Sequence, residues 1–347
     1  LLVTYPKLSS VAFRLTTDQD HNLPWLDHTM ASAILTCPRY GMVRYYNSLT
    51  TDNTKREMPL ECGSAMHLAF AAHRLYHLAV VQQHSLDAVT EKGIAIFGRS
   101  KWSELAHYLG KEQQEQFCLQ ALYSSSFQDN PYDTKRTLSN MEVALIYYIL
   151  VTNYNEYPIY ATDSFIGVEH KVDFVVTCTY EDGKEISTRY IGRTDGVHYQ
   201  PENGKIIIAE NKTTSSAGGE WQNQWEVSHQ VTGYLIDMAL KLNRPVTDAL
   251  VIGLQIPLPK LEYNGYVHKP VTRHPRQFAE WANWLSGAIR LMHTYADDAW
   301  KAPEYTHACF RYFRSCEFLP ICGAEDGEMI EYRGLLQTKE WNPHDTE

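Results

Sequence analysis

The sequence predicts an α/β protein: a central mixed β-sheet flanked by helices, with a helical region before it and a cysteine-bearing segment after it. Three observations predict it. In three stretches before Pro158, Thr29 to Tyr46, Gly63 to Val81 and Leu138 to Tyr154, apolar residues recur at three- and four-residue steps, the period of a helix that buries one face. After Pro158, runs rich in β-branched and aromatic residues alternate with turn signals. Beyond Trp221 helical and extended patterns alternate again, which is how a sheet acquires helices on its faces.

The elements follow in order. From Thr29 to Tyr46, Met30, Ile34, Cys37, Tyr40 and Val43 keep a helical step, interrupted near Pro38, which lacks an N–H donor. Gly63 to Val81 is a stronger helix, with Met66, Phe70, His73, Arg74 and His77 over alanine-rich turns, and its Gly63 and Ala65 permit close approach of another element. Residues 85–140 are polar and helical in character, and Leu138 to Tyr154 resumes an apolar helix through Met141, Leu145, Tyr148 and Ile149. No strand is expected before Pro158. Strands are expected at Phe165 to Val168, Val172 to Tyr180, Glu185 to Ile191 and Lys205 to Ala209, with turns at Glu181-Asp182-Gly183 and Glu202-Asn203-Gly204. Trp221 to Leu242 reads as one long amphipathic helix, Ala249 to Pro257 as a strand and Pro275 to Trp300 as a helix. Cys309 to Cys322 reads as a compact loop, and the acidic stretch from Gly323 onward is expected to pack loosely or not at all. Three segments result: a helical region at 1–157, a core at 158–300 and the cysteine-bearing end at 301–347.

Composition narrows the functional classes. A chain of 347 residues, 44% hydrophobic, suits two compact units or one elaborated core. Its 31 Lys and Arg against 41 Asp and Glu give a net charge of −10. That balance disfavours nonspecific coating of nucleic acid, which relies on neutralising phosphates, while leaving room for a local basic groove. The longest apolar run, which contains Ala144 to Val151, falls far short of the roughly 20 residues of a membrane span, so a soluble protein with no membrane partner is expected. Seven cysteines, an odd number in a chain able to bury its own core, argue against a disulfide framework and for a reducing compartment, hence the cytoplasm. No repeat is visible, which excludes solenoids and propellers.

The informative segment runs from Gly192 to Tyr234. Asp195 is expected to end a strand, and the next strand, Lys205 to Lys212, ends with Glu210 and Lys212 two residues apart and therefore on one face. An Asp and a Glu converging at strand ends offer hard oxygens to Mg²⁺ or Mn²⁺, with the Asn211 backbone carbonyl as a further ligand. Lys212 beside them is placed to orient or activate a water, and together these are the equipment for phosphodiester hydrolysis. Gln230 and Tyr234, four apart on the following helix, share a face and can reach substrate. His67 can complete the ligand set with a neutral imidazole. Each feature has a plainer reading as well: a solvated Glu and Lys pair, a packing Gln and Tyr, a satisfied histidine.

In that order, His67, Gly192-Arg-Thr-Asp195, Glu210-Asn-Lys212 and Gln230-x-x-x-Tyr234 resemble the PD-(D/E)XK nuclease superfamily. They look most like its RecB-like branch, which includes the exonucleases of CRISPR adaptation. The resemblance covers roughly residues 29–322, with Thr194-Asp195 in place of the literal Pro-Asp pair. It implies a restriction-endonuclease-like core, a metal held by His67, Asp195 and Glu210, Lys212 as catalytic lysine, and Gln230 and Tyr234 as the branch's helix motif. Glu169, on an early strand where the branch often has a Glu, receives no ligand role. Some members of the branch carry a 4Fe-4S cluster on one N-terminal and three C-terminal cysteines. Cys37, in Cys37-Pro-Arg-Tyr40, matches the first, and Cys309, Cys316 and Cys322 stand for the others, with a wider gap between Cys309 and Cys316 than the branch usually has. Four thiolates also suit tetrahedral Zn²⁺, and free cysteines are equally at home as small core residues, the role expected of Cys62, Cys118 and Cys178.

The functional expectation is a metal-dependent DNA nuclease, an exonuclease on single-stranded or end-exposed DNA, in the cytoplasm or at the nucleoid. The rival is a noncatalytic DNA-end or protein-binding module that retains the fold, with a basic protein partner or a second copy docked on its acidic surface. Arg99, Lys101, Lys269, Arg273, Arg276, Arg311 and Arg314 are candidate groove cations, and Trp221 and Trp225 are candidates for base stacking.

Overall fold

The computed structural model describes residues 11–17, 20–52, 54, 57–111, 113–152, 154–257, 265–311 and 314–344. Strands β1 (Ala12–Thr16) and β2 (Trp25–Leu26) come first. Helix α1 (His28–Thr36) begins where the Asp27 carboxylate accepts from the Met30 N–H and ends at Cys37, which Pro38 forces into an extended conformation. A short α2 (Pro38–Gly41) and a π-turn lead to β3 (Leu49–Thr50). Alanine-rich α3 (Met58–Tyr76) is followed by α4 (Leu86–Phe97), α5 (Arg99–Leu109), α6 (Gln114–Tyr123) and α7 (Leu138–Val151). Then come β4 (Ala161–Thr162), β5 (Phe165–Ile166), β6 (Val168–Thr179), β7 (Glu185–Gln200) and β8 (Lys205–Thr214). Helices α8 (Gly219–Asn223) and α9 (His229–Leu242) precede β9 (Asp248–Gln255), β10 (Tyr266–Thr272) and α10 (Pro275–Thr294). The chain closes with β11 (Phe310–Arg311), β12 (Arg314–Ser315), α11 (Leu319–Cys322), α12 (Asp326–Gly334) and β13 (Gln337–Thr338).

The chain divides into two compact units, one of Leu1–Lys55, Asp173–Gly192 and Pro275–His344, the other mainly of Arg56–Val172 and Arg193–His274. In the first, β1 runs antiparallel to β6 from Ala12↔Thr179 to Thr16↔Val175, and β2 runs parallel to β7 at Leu26↔Tyr190. Helices α1 and α10 pack together. The acidic end is not loose: β13 pairs with β3, and the Arg44 guanidinium donates to the Lys339 carbonyl at 3.1 Å.

In the second unit β7 is antiparallel to β8, β8 parallel to β9 and β9 antiparallel to β10, so the sheet is mixed. Helix α9 makes the crossover that a parallel β8–β9 pair requires. Both α3 and α9 pack on β8, the strand that carries the site. The faces of α3 to α7 close one apolar core through Met66, Phe70, Val89, Ile96, Trp102, Phe117, Leu122, Met141 and Leu145.

Several expectations are corrected. Strands do occur before Pro158; β1 is only five residues and β2 and β3 two each, too short to show a period. Trp221 to Leu242 is not one helix, because Ser228 is extended and its hydroxyl caps α9 by accepting from the Val231 N–H. The helix from Pro275 stops at Thr294, and β10, an edge strand containing Pro270, was not anticipated. No described helix is long and apolar enough to cross a membrane.

Candidate metal centre

The chemistry gathers in the second unit. Asp195 lies inside β7 rather than at its end, immediately before Gly196↔Ala209, the last pair of the β7–β8 ladder. Beyond that pair the Asn211 N–H donates not to a strand carbonyl but to Asp195 Oδ2, at 2.5 Å. An N–H and C=O of one strand residue share an edge, so the Asn211 carbonyl faces the same gap. From α3, His67 Nδ1 donates to Asp195 Oδ1 at 2.8 Å, so both oxygens of Asp195 are held.

Glu169, at the start of β6, joins them. Ligand atoms of His67, Glu169 and Asp195 lie within 4.8 Å of one another, the grouping suited to a divalent ion among the described residues. Glu169 Oε2 pairs with Arg193 Nε at 3.1 Å, while Oε1 is buried without a hydrogen-bond partner. Glu210 repeats the pattern: Oε1 accepts from Lys212 Nζ at 2.7 Å and Oε2 is buried without a partner. An orphaned carboxylate oxygen costs about 1–3 kcal/mol, and two of them at one site are what a cation would satisfy. The sequence resemblance picks out Glu169 but gives it no ligand role, whereas the structure puts it, rather than Glu210, in the tight group with His67 and Asp195. The available signal was weak: a buried Glu in Val168-Glu-His-Lys-Val172 looks like any strand residue.

The charges are mutually adjusted. Burial would raise Asp195, but His67 and then Arg74 outweigh it and hold its pKa below the usual carboxylate range. Burial and the Asp195 charge push Glu210 up, and the same two causes raise Glu169 against Arg193 and His67. Burial works against the Lys212 ammonium, yet Glu210 and Asp195 prevail and keep it charged.

Beneath the group, fully buried Arg74 braces the site. Its Nη2 donates to Asn211 Oδ1, and its Nε approaches His198 Nε2 at 3.4 Å. His198 Nδ1 donates to the Tyr157 carbonyl at 2.8 Å, which leaves Nε2 as an acceptor for Arg74. Asn211 Nδ2 donates to the Tyr148 hydroxyl at 3.0 Å. Position 196 must be glycine, since a Cβ there would stand 2.7 Å from both Arg74 Nε and His198 Nε2. Gly196→Ala is therefore expected to lower stability by about 1–3 kcal/mol, checked by urea unfolding.

Gln230 and Tyr234 do share a face of α9, where Gln230 Nε2 donates to the Tyr234 hydroxyl at 2.8 Å. Lys212 Nζ lies 5.7 Å from the centre of the Trp225 ring, and Trp221 packs on Gly253. Arg273 is no groove cation: it is buried and donates to the carbonyls of Trp225, Glu226 and Ser228, fixing the turn before α9. Lys269 pairs with Glu226, Arg276 with Glu280, and Lys101 donates to the Ser124 carbonyl. The side chains of Arg311 and Arg314 lie outside the described residues.

In the first unit Cys316 lies near each of the other three cysteines singled out by sequence. The Cys316 thiol is pushed up to about 11, by burial first and then by Cys322, Cys37 and Cys309 beside it. Cys37 stands between α1 and α2, and the Cys316 N–H donates to the Cys309 carbonyl at 2.7 Å. Arg39 ties the two stretches, donating from its N–H to Pro303 and from Nε to Ala302. Cys62, Cys118 and Cys178 are buried core residues, as expected. No protein-family model and no curated protein matches the chain.

Proposed function

We propose that the chain is a divalent-metal-dependent deoxyribonuclease of the PD-(D/E)XK superfamily, RecB-like branch, hydrolysing phosphodiester bonds of single-stranded or end-exposed DNA. The observation that carries this reading is the convergence of His67, Glu169 and Asp195 beside the Glu210–Lys212 pair, with an unpartnered buried oxygen on each glutamate. Carboxylate oxygens with one imidazole suit Mg²⁺ or Mn²⁺. His67, Glu169 and Asp195 would hold the ion, with Glu210 and the Asn211 carbonyl as further donors. When bound, it supplies a Lewis acid for the phosphoryl group and a water of lowered pKa. Asp195, gripped at both oxygens, keeps its orientation without relying on substrate. Lys212, kept charged by Glu210 and Asp195, offsets negative charge on the phosphoryl oxygens and orients the attacking water. Gln230 and Tyr234 present one amide and one hydroxyl for the DNA backbone.

The same reading assigns a 4Fe-4S cluster to Cys37, Cys309, Cys316 and Cys322. Its support is that Cys316 lies near three thiols far apart in sequence, all four within one unit.

The test is cleavage of end-labelled single-stranded and duplex DNA by the full chain in Mg²⁺ and in Mn²⁺. Cation-dependent shortening from an end supports the reading; no cleavage of either DNA in either cation overturns it. Lys212→Ala should separate roles. Mn²⁺ binding should be kept or tighten, because the ligands remain and a repelling charge is gone, while single-turnover cleavage falls about 10²- to 10³-fold because a transition-state donor is lost. Lost Mn²⁺ binding with an unchanged rate at saturating metal would show the roles to be reversed.

A further inference from the structure

Glu169 occupies a conformation that glutamate avoids. Its φ is 44°, in the left-handed region, within a strand that is otherwise extended. A side chain other than glycine is strained there and persists only where its surroundings enforce it. Val168 and Glu169 are both buried. The backbone turn delivers the carboxylate to the His67 and Asp195 side of the strand.

The surroundings that enforce the turn can be named. Lys92 Nζ, from α4, donates to the Glu169 carbonyl at 3.1 Å. Lys241 Nζ, from α9, donates to the Lys171 carbonyl at 2.9 Å, and the His170 ring meets Asp237 Oδ2 at 3.0 Å. Arg193 holds the carboxylate itself. Of these groups Lys92 is the one that grips the backbone of Glu169.

We infer that Lys92 is a positioning residue of the metal centre: its ammonium pins the Glu169 carbonyl and so holds that residue in the left-handed turn that aims its carboxylate at His67 and Asp195. The inference rests on the metal-centre reading above. Sign separates it from a purely electrostatic role. A lysine acting only through its charge repels a metal ion, so Lys92→Met would tighten binding; a lysine that positions a ligand makes the same variant bind more weakly.

The experiment is Mn²⁺ titration of the full chain without DNA, followed by electron paramagnetic resonance of free Mn²⁺, with circular dichroism to confirm the fold. Lys92→Met is expected to weaken Mn²⁺ binding about tenfold, the effect typical of losing a group that orients a ligand, and Lys92→Arg, which keeps a donor, to stay within about threefold. In a Glu169→Gln background the Lys92→Met substitution should change affinity less than about twofold, because the ligand it positions is already compromised. Lys92→Gln serves the same comparison if Lys92→Met loses its helical signal. Unchanged or tighter binding by Lys92→Met, or the same loss in the Glu169→Gln background, overturns the inference while leaving the metal centre standing. A wild type that binds no Mn²⁺ overturns the metal centre, and the inference with it.

Discussion

Asp195→Ala is expected to reduce DNA cleavage by at least about a thousandfold in excess Mg²⁺ or Mn²⁺, since the charge stabilisation a bound ion provides is worth several kcal/mol in the transition state. The fold should survive. Asp195 is buried among other carboxylates and raises the pKa of both Glu169 and Glu210, so its removal relieves repulsion. Against that stand the lost bonds to His67 Nδ1 and the Asn211 N–H. These terms oppose one another, and the net change in unfolding free energy should lie within about 2 kcal/mol, measured by urea titration beside the cleavage assay. A cleavage rate equal to wild type would remove the cluster from the chemistry.

The second large effect is expected in the other unit. Cys316→Ala, prepared anaerobically, should lose iron and acid-labile sulfide together and fall by roughly 10 °C or more in melting temperature, because the binding energy of a cluster is folding energy for the segments it joins. Cys316 lies near Cys37, Cys309 and Cys322, so a cluster lost with it would no longer join the α1–α2 junction to the C-terminal hairpin and α11. Cys118→Ala is the control. That residue is fully buried on α6 and should cost no more than about 1–2 kcal/mol, with iron unchanged. Wild type with one equivalent of zinc and neither iron nor sulfide would replace the cluster by a tetrahedral zinc site, and wild type with no metal would make the thiols core residues.

Part of this arrangement is legible in the sequence because it is local. Glu210 and Lys212 share a face by strand periodicity, Gln230 and Tyr234 by helical periodicity, and the structure places each pair in direct contact. The α/β order of elements was legible for the same reason. What was not legible depends on tertiary contact. Nothing local announces that Glu169 adopts a positive φ, which Lys92, 77 positions away, helps to hold. Arg273 reads as a surface cation until three carbonyls of a distant turn are seen around it. The acidic end looked unattached because β13 contributes two residues, whose partner strand β3 is equally short and lies far upstream. Ser228 breaks Trp221 to Leu242 although the apolar period continues through it, since a serine hydroxyl satisfies a helix N-terminus as readily as it tolerates a helix interior.

The left-handed turn at Glu169 also sets stability and chemistry against each other at a single position. Glycine would adopt a φ of 44° without strain and would withdraw one of the buried carboxylates that repel Asp195. In a library screened for thermal resistance alone, replacements at 169 should therefore be enriched, and the enriched clones should be those that no longer bind the metal. A stabilising consensus drawn from such a screen would drift away from function at this residue first.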